Sequence, residues 1–263
     1  MKINTFLLSG AGNTFHIIND LNENSTLNES QKKKLTRKIC KLNPADGVIF
    51  LQAEKNKSGQ YKWGFFNNDG SDAEMCGNAT RCVGFYLKNI LNDKNNEWLL
   101  STRAGLITIK ALPDLETSKN LFLVRMTAII ELQSKLGFYC NTGVPHLVLE
   151  IKDINKCKNF EESAKKLRNH PDFFPAGTNV TYVQRLDEIN KIKAISFERG
   201  VEGFTAACGT GAMAAAFYNL KIQHCNKTYV EMPGGTLMMD VSNLNEPIMV
   251  GPAITLGKFE YEI

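Results

Sequence analysis

CGNATRCVGFYL at residues 76–87 and CGTGAMAAAFYNL at residues 208–220 decide how this chain folds. Both open on Cys-Gly and a polar residue, Asn78 or Thr210, and both reach a Phe-Tyr pair nine and ten positions after the cysteine. The cysteines stand 132 positions apart in a chain of 263 residues, close to half its length. Working outward, an offset of 131–132 sets Gly12-Asn13 on Gly143-Val144, Gly47-Val48 on Asn179-Val180, Gln52 on Gln184 and Phe65 on Phe197. One offset kept across separated blocks marks an internal duplication. It predicts an α/β (α+β) protein of two similar domains related by a pseudo-twofold axis, each a curled mixed β-sheet around a central helix. Equivalent residues would then meet at a cleft, where small-molecule sites are common. The expected domains are 1–118, joined by the last strand at 252–263, and 119–251.

The rest of each half supports this order. Strands are expected at Thr5–Leu8, Phe15–Asn19, Val48–Gln52, Lys62–Phe66, Trp98–Thr102, Leu106–Leu112 and Leu121–Thr127, with helices at Glu29–Leu42 and 77–91. The second half repeats them: strands at Leu147–Ile151, Asn179–Gln184, Lys193–Phe197, Thr228–Met232, Thr236–Val241 and Pro247–Val250, helices at Lys156–Arg168 and 209–221, and a loop over 198–203.

Composition narrows the function classes. Apolar residues make up 43% and charged residues 22%, as in ordinary globular proteins, and the net charge is +4. The run Lys32-Lys33-Lys34 reads as a solvated helix face, which points away from nucleic-acid binding. No stretch reaches the roughly 18 apolar residues of a membrane span, and the N-terminal apolar run is too short for a signal peptide. The expectation is a cytoplasmic protein with no nucleic-acid or membrane partner. Seven cysteines are an odd number and suit reduced thiols, with Cys40, Cys82, Cys140, Cys157 and Cys225 acting as small buried hydrophobes. Cys76 and Cys82 form Cys-x5-Cys with no His cluster to complete a zinc site, so no metal is expected.

Cys76 and Cys208 read differently, because both occupy the same repeat position before Gly. A cysteine at a helix N-terminus meets unpaired N–H groups and the positive end of the helix dipole. Both are expected to favour thiolate over the usual pKa of about 8.5. The same N–H groups can hold a substrate carboxylate. Two such thiols on opposite faces of one carbon would remove a proton and deliver another, inverting the centre. The chain offers no clear pyridoxal-phosphate lysine signature, so no cofactor is expected and the acidity must come from desolvation and fixed dipoles. Two other readings compete. Gly209-x-Gly211-x-x-Ala214 with Glu231 imitates a dinucleotide fingerprint, although Gly203–Ala207 makes a poor parallel strand. Two facing thiols could also form a redox pair.

GAGNTF (10–15), NNDGSDAEMCGNATRC (67–82), NTGVPH (141–146), GTNVTYVQ (177–184), ERGVEGFTAACGTGA (198–212) and GGTL (234–237) together resemble the diaminopimelate epimerase family over essentially the whole chain. The resemblance implies a homodimeric, pyridoxal-independent two-base isomerase of lysine and peptidoglycan biosynthesis that takes a small amino-acid substrate. It makes Cys76 and Cys208 the acid/base pair and assigns the α-carboxylate to the amides of Gly77-Asn78 and Gly209-Thr210. Asn67, Asn179 and Arg199 would bind the distal end, and Asn13 would line the site. Glu198 and His146 would contact the reacting amino group and assist thiol deprotonation. Ala79, Val144, Glu202 and Phe204 depart from the family pattern, and related racemases with the same cysteine pair act on other amino acids, histidine among them.

Overall fold

In the computed structural model, residues 2–21, 27–54, 57–73, 75–113 and 120–262 are described. The chain forms two compact units, Met1–Val124 with Gly251–Ile263, and Arg125–Val250. The boundary expected at 118/119 lies outside the described residues.

The first unit runs β1 (Lys2–Gly10), β2 (Asn13–Asn19), α1 (Glu29–Leu42), β3 (Gly47–Ala53), β4 (Gln60–Asn67), α2 (Gly77–Phe85), β5 (Glu97–Thr102), β6 (Gly105–Ala111) and β7 (Leu121–Arg125). The second runs β8 (Ile130–Leu132), β9 (Phe138–Asn141), β10 (Pro145–Glu150), α3 (Glu161–Arg168), β11 (Asn179–Arg185), β12 (Lys191–Glu198), β13 (Gly203–Thr205), α4 (Gly209–Gln223), β14 (Lys227–Met232), β15 (Gly235–Asp240) and β16 (Ile248–Pro252). A last strand, β17 (Ile254–Glu262), returns to pair antiparallel with β1 in the first unit.

The two pairing schemes match. β2 and β3 are parallel, β3 and β4 antiparallel, and β4 and β5 parallel again. β10 with β11, β11 with β12, and β12 with β14 repeat that sequence of directions. Each sheet carries a helix on either face. In the first unit, Ile49, Leu51, Trp63 and Phe65 pack toward α2, while Val48, Phe50 and Phe66 pack with Leu35 and Ile39 of α1. Strand alternation makes this possible, since successive side chains point to opposite faces. α2 touches β1, β2 and β6, and α4 touches strands from β9 to β15, so each sheet curls around its helix. Every residue of α2 is buried, and so are Gly211 through Phe217 of α4. Small side chains at Gly211, Ala212 and Ala214–Ala216 are what let strands close on α4 from several sides.

Three local expectations are corrected. The helix expected at Lys156–Arg168 is a 3-10 turn, Ile154–Phe160, followed by a short α-helix from Glu161. The Asp153 side chain accepts from Asn155 N–H at 3.1 Å, an Asx turn that starts the tighter winding. The segment after 203 forms strand β13, antiparallel to β12 through Ser196↔Thr205 and Glu198↔Gly203. An antiparallel strand before α4 removes the dinucleotide reading, which needs a parallel strand feeding the helix. Finally, Phe65 is not the partner of Phe197. Val48 pairs with Phe66 and Ile49 with Phe65, whereas Val180 pairs with Phe197 and Thr181 with Ser196. With Val48 on Val180, Phe66 matches Phe197 and Phe65 matches Ser196.

Two of the departures, Phe204 and Ala79, have local explanations. Phe204 stacks edge-on to Phe197 at 5.5 Å and leans on Tyr182 at 6.1 Å, filling the apolar cluster beneath α3. Ala79 is fully buried among Leu8, Phe15 and Val83. Among the described residues no helix is long and apolar enough to cross a membrane, and none of the seven cysteines is in a disulfide.

Candidate active site

In the first unit Cys76 is the N-cap of α2, with extended backbone (φ −144°, ψ 119°) and its carbonyl accepting from Thr80 N–H at 2.9 Å. Gly77 and Asn78 make the first turn. Asn78 donates through Nδ2 to Asn13 Oδ1 at 2.5 Å, so two of the expected site residues meet. Arg81, one turn further and fully buried, donates to Asn78 Oδ1 at 2.9 Å. Burial pulls its guanidinium down to about 10, with the neighbouring thiols of Cys82 and Cys76 working the other way. Asn13 continues the chain to Asp46 Oδ2 at 3.4 Å, and the same oxygen accepts from Thr14 N–H at 2.7 Å. Asn67 ends β4 opposite Gly47, and its amide donates to Ser71 Oγ at 2.9 Å inside the 67–71 turn.

The second unit gathers more of its expected residues. Cys208 is the N-cap of α4 and is 4% exposed. Its sulfur accepts from Gly211 N–H at 3.3 Å, the helix-end contact that the sequence suggests. The ionisation goes the other way, however. Burial first, and then the Glu198 carboxylate beside it, push the Cys208 thiol well above its ordinary range, against the smaller lowering from Thr210 and Gly211. Helix-end donors stabilise thiolate by a modest amount, and complete desolvation next to an anion outweighs them. Cys208 is therefore a thiol in this structure. Glu198 ends β12 and also accepts from the Thr205 hydroxyl.

Around this thiol the polar groups form one network. Thr210 Oγ1 lies 3.4 Å from Cys208 Sγ and 3.0 Å from His146 Nε2. His146 Nδ1 lies 2.9 Å from Thr181 Oγ1, and Thr181 Oγ1 lies 2.9 Å from Ser196 Oγ. Asn179 accepts from Arg199 N–H at 2.8 Å and turns Nδ2 toward His146 Nε2 at 3.4 Å. Burial drives the His146 imidazole down to about 3, so the ring is neutral. It reaches the sulfur through the Thr210 hydroxyl. The Arg199 guanidinium, at the exposed turn between β12 and β13, donates to Ala176 C=O at 3.1 Å. Glu202, in the same turn, holds φ at 56° and pairs with Arg168 at 2.8 Å. Gly211 is required here, because a Cβ would run into Ser196 Oγ.

The model of the diaminopimelate epimerase family matches residues 5–126 and 138–256, which takes in both cysteine blocks. The chain belongs to the diaminopimelate epimerase family. Curated relatives include the diaminopimelate epimerase of Aquifex aeolicus, 38% identical over 223 residues (80% of this chain, 78% of the relative). That of Hydrogenobaculum sp. is 32% identical over 275 residues, 97% of each chain. Among solved structures, a Bacillus anthracis phenazine biosynthesis protein of the PhzF family shares the fold at 15% identity, with a TM-score of 0.78 and 100% of both chains covered. Arg81, Asp46, Thr181 and Ser196 are contacts that motif reading passes over. For Thr181 and Ser196 the usable signal was there: polar residues stand at strand positions where the first half has Ile49 and Phe65.

Proposed function

We propose that this protein is a diaminopimelate epimerase that interconverts the LL and meso forms without a cofactor. Cys76 and Cys208 serve as the acid/base pair, each at the N-terminus of a buried helix. The observation that carries the reading is the Cys208 environment: a desolvated thiol, held by a helix-end N–H, beside a carboxylate and a neutral hydrogen-bonded histidine. A base in the other half would take the α-proton while this thiol delivers its own, and the reverse reaction exchanges the roles. The first-turn amides at Gly77-Asn78 and Gly209-Thr210 suit the α-carboxylate. Asn179 and Arg199 suit the distal carboxylate, to which a guanidinium can bind by two parallel hydrogen bonds, with Asn67 and Asn13 supporting from the first half. The family resemblance also suggests a homodimer working in the cytoplasm in lysine biosynthesis.

The test is incubation with LL-diaminopimelate in D2O with no added cofactor, followed by proton NMR. Loss of the Cα proton signal with formation of the meso isomer is expected, and Cys76→Ala and Cys208→Ala should each abolish turnover. A panel of other amino acids, histidine and proline included, runs alongside. Exchange with one of those but none with diaminopimelate would overturn the substrate assignment.

A further inference from the structure

Matching the strands of the two units by their pairing reveals one concentrated difference. Phe15 pairs with Gly47 as His146 pairs with Asn179, and Ile49 pairs with Phe65 as Thr181 pairs with Ser196. In the first unit Phe15, Ile49 and Phe65 form apolar core against α2, with the two phenyl rings 5.7 Å apart. In the second unit the same three positions, facing α4, hold His146, Thr181 and Ser196, each fully buried. Replacing a packed apolar trio with polar groups gains nothing from burial unless every group is satisfied. Here the three are bonded in series, and the series ends at the Thr210 hydroxyl beside Cys208.

The direction of each bond follows from groups that can act in only one way. Arg199 N–H can only donate, so the Asn179 atom facing it is Oδ1, and the Asn179 group facing His146 is the amide NH2. That NH2 can only donate, so His146 Nε2 carries a lone pair. The neutral ring then bears its proton on Nδ1 and donates it to Thr181 Oγ1. Thr181 keeps its own proton for Ser196. Thr210 therefore donates to Nε2, with Cys208 Sγ 3.4 Å from the same hydroxyl and the Glu198 carboxylate the stronger acceptor for the S–H.

We propose that Asn179, turned by the Arg199 N–H, and Thr181, which accepts at Nδ1 with Ser196 behind it, are positioning residues that together hold His146 as the neutral Nδ1–H tautomer, so that the Thr210 hydroxyl can follow the charge on Cys208. While the sulfur is a thiol, the hydroxyl donates to Nε2. Once the thiol has given its proton to the substrate carbon, the hydroxyl turns to donate to the thiolate, and Asn179 still satisfies Nε2. No proton leaves His146 in either state. This rests on Cys208 acting as acid and base.

The test is 15N NMR of histidine-labelled protein at pH 7, with His146 assigned by its loss in His146→Gln. Wild type should show a pyrrole-type Nδ1 and a pyridine-type Nε2. Thr181→Val should shift the ring toward the Nε2–H tautomer and lower kcat by about 10- to 100-fold with KM little changed. Thr181→Ser, which keeps the acceptor, should restore both the tautomer and kcat to within a few-fold. An Nε2–H or imidazolium ring in wild type overturns the proposal, as does a Thr181→Val enzyme with unaltered kcat. The tautomer measurement needs no turnover, so its failure is separable from failure of the epimerase reading, which the deuterium exchange decides.

Discussion

Asn78 Nδ2 lies 2.5 Å from Asn13 Oδ1, and the amide that makes this contact is itself held by Arg81 at 2.9 Å. Because Arg81 can only donate, it fixes which end of Asn78 faces Asn13, and so which end of Asn13 faces Asp46. A buried cation thus orients two amides expected at the substrate. Asn78→Leu should strand a buried guanidinium donor and cost about 1–3 kcal/mol, read as a lower Tm. Asn78→Asp keeps an acceptor for Arg81 but places an anion against Asn13 Oδ1. It should keep more of the stability while lowering kcat/KM by roughly 10- to 100-fold. Equal thermal and kinetic losses in the two variants would refute the orienting role.

Glu198 is the second cause, after burial, of the raised Cys208 pKa. Glu198→Gln should lower that pKa without returning it to the ordinary value, because burial remains. Modification of Cys208 by a small thiosulfonate at pH 8, followed by peptide mass spectrometry, should become several-fold faster, while kcat falls by roughly 100-fold. An unchanged modification rate would show that the carboxylate does not act on the sulfur.

His146 gives a stability signature. Its folded pKa, about 3, lies below the ordinary 6.5, so the unfolded chain binds the extra proton between those values. The stabilisation is complete above pH 6.5 and is lost as pH falls toward 3, at about 1.4 kcal/mol per pH unit. Urea unfolding at pH 7 and pH 5 should therefore show a steeper loss for wild type than for His146→Gln. His16 is also lowered by burial, but it is present in both proteins and cancels in the comparison. Parallel pH profiles would contradict the buried neutral ring.

The Glu202–Arg168 pair ties the Arg199 turn to the end of α3. Glu202 is substantially exposed, so Glu202→Ala should cost below about 1 kcal/mol of stability. If the turn positions Arg199 for a distal carboxylate, KM for diaminopimelate should rise several-fold with kcat nearly constant. A change confined to kcat would place the turn's influence on the chemistry instead.

How much of this was legible beforehand depended on how local the cause was. The helix at Glu29–Leu42 forms as expected, and the cause at its start is local: Asn28 and Gln31 cap each other through contacts three residues apart. The helix expected at Lys156–Arg168 failed at its start, because one Asx turn at Asp153 was enough to tighten the winding. The short β8 and β9 had no counterpart in the sequence reading, because what makes them strands is pairing with a neighbour.

The sequence by itself determined the duplication, the order of the elements that the two halves share, and the two cysteines that begin the central helices. All of these rest on repetition and short-range patterns. Only the tertiary structure decided the state of those cysteines' surroundings. The bonds from His146 to Thr181 and Thr210 span 35 and 64 residues, and the fixed offset paired Phe65 with Phe197 and so hid the replacement of an apolar trio by a polar one. Cys208 is a thiol, not a thiolate, for the same reason. A helix N-terminus can be seen in a motif, but the desolvation that overrides it exists only once strands from the whole unit have closed around the sulfur.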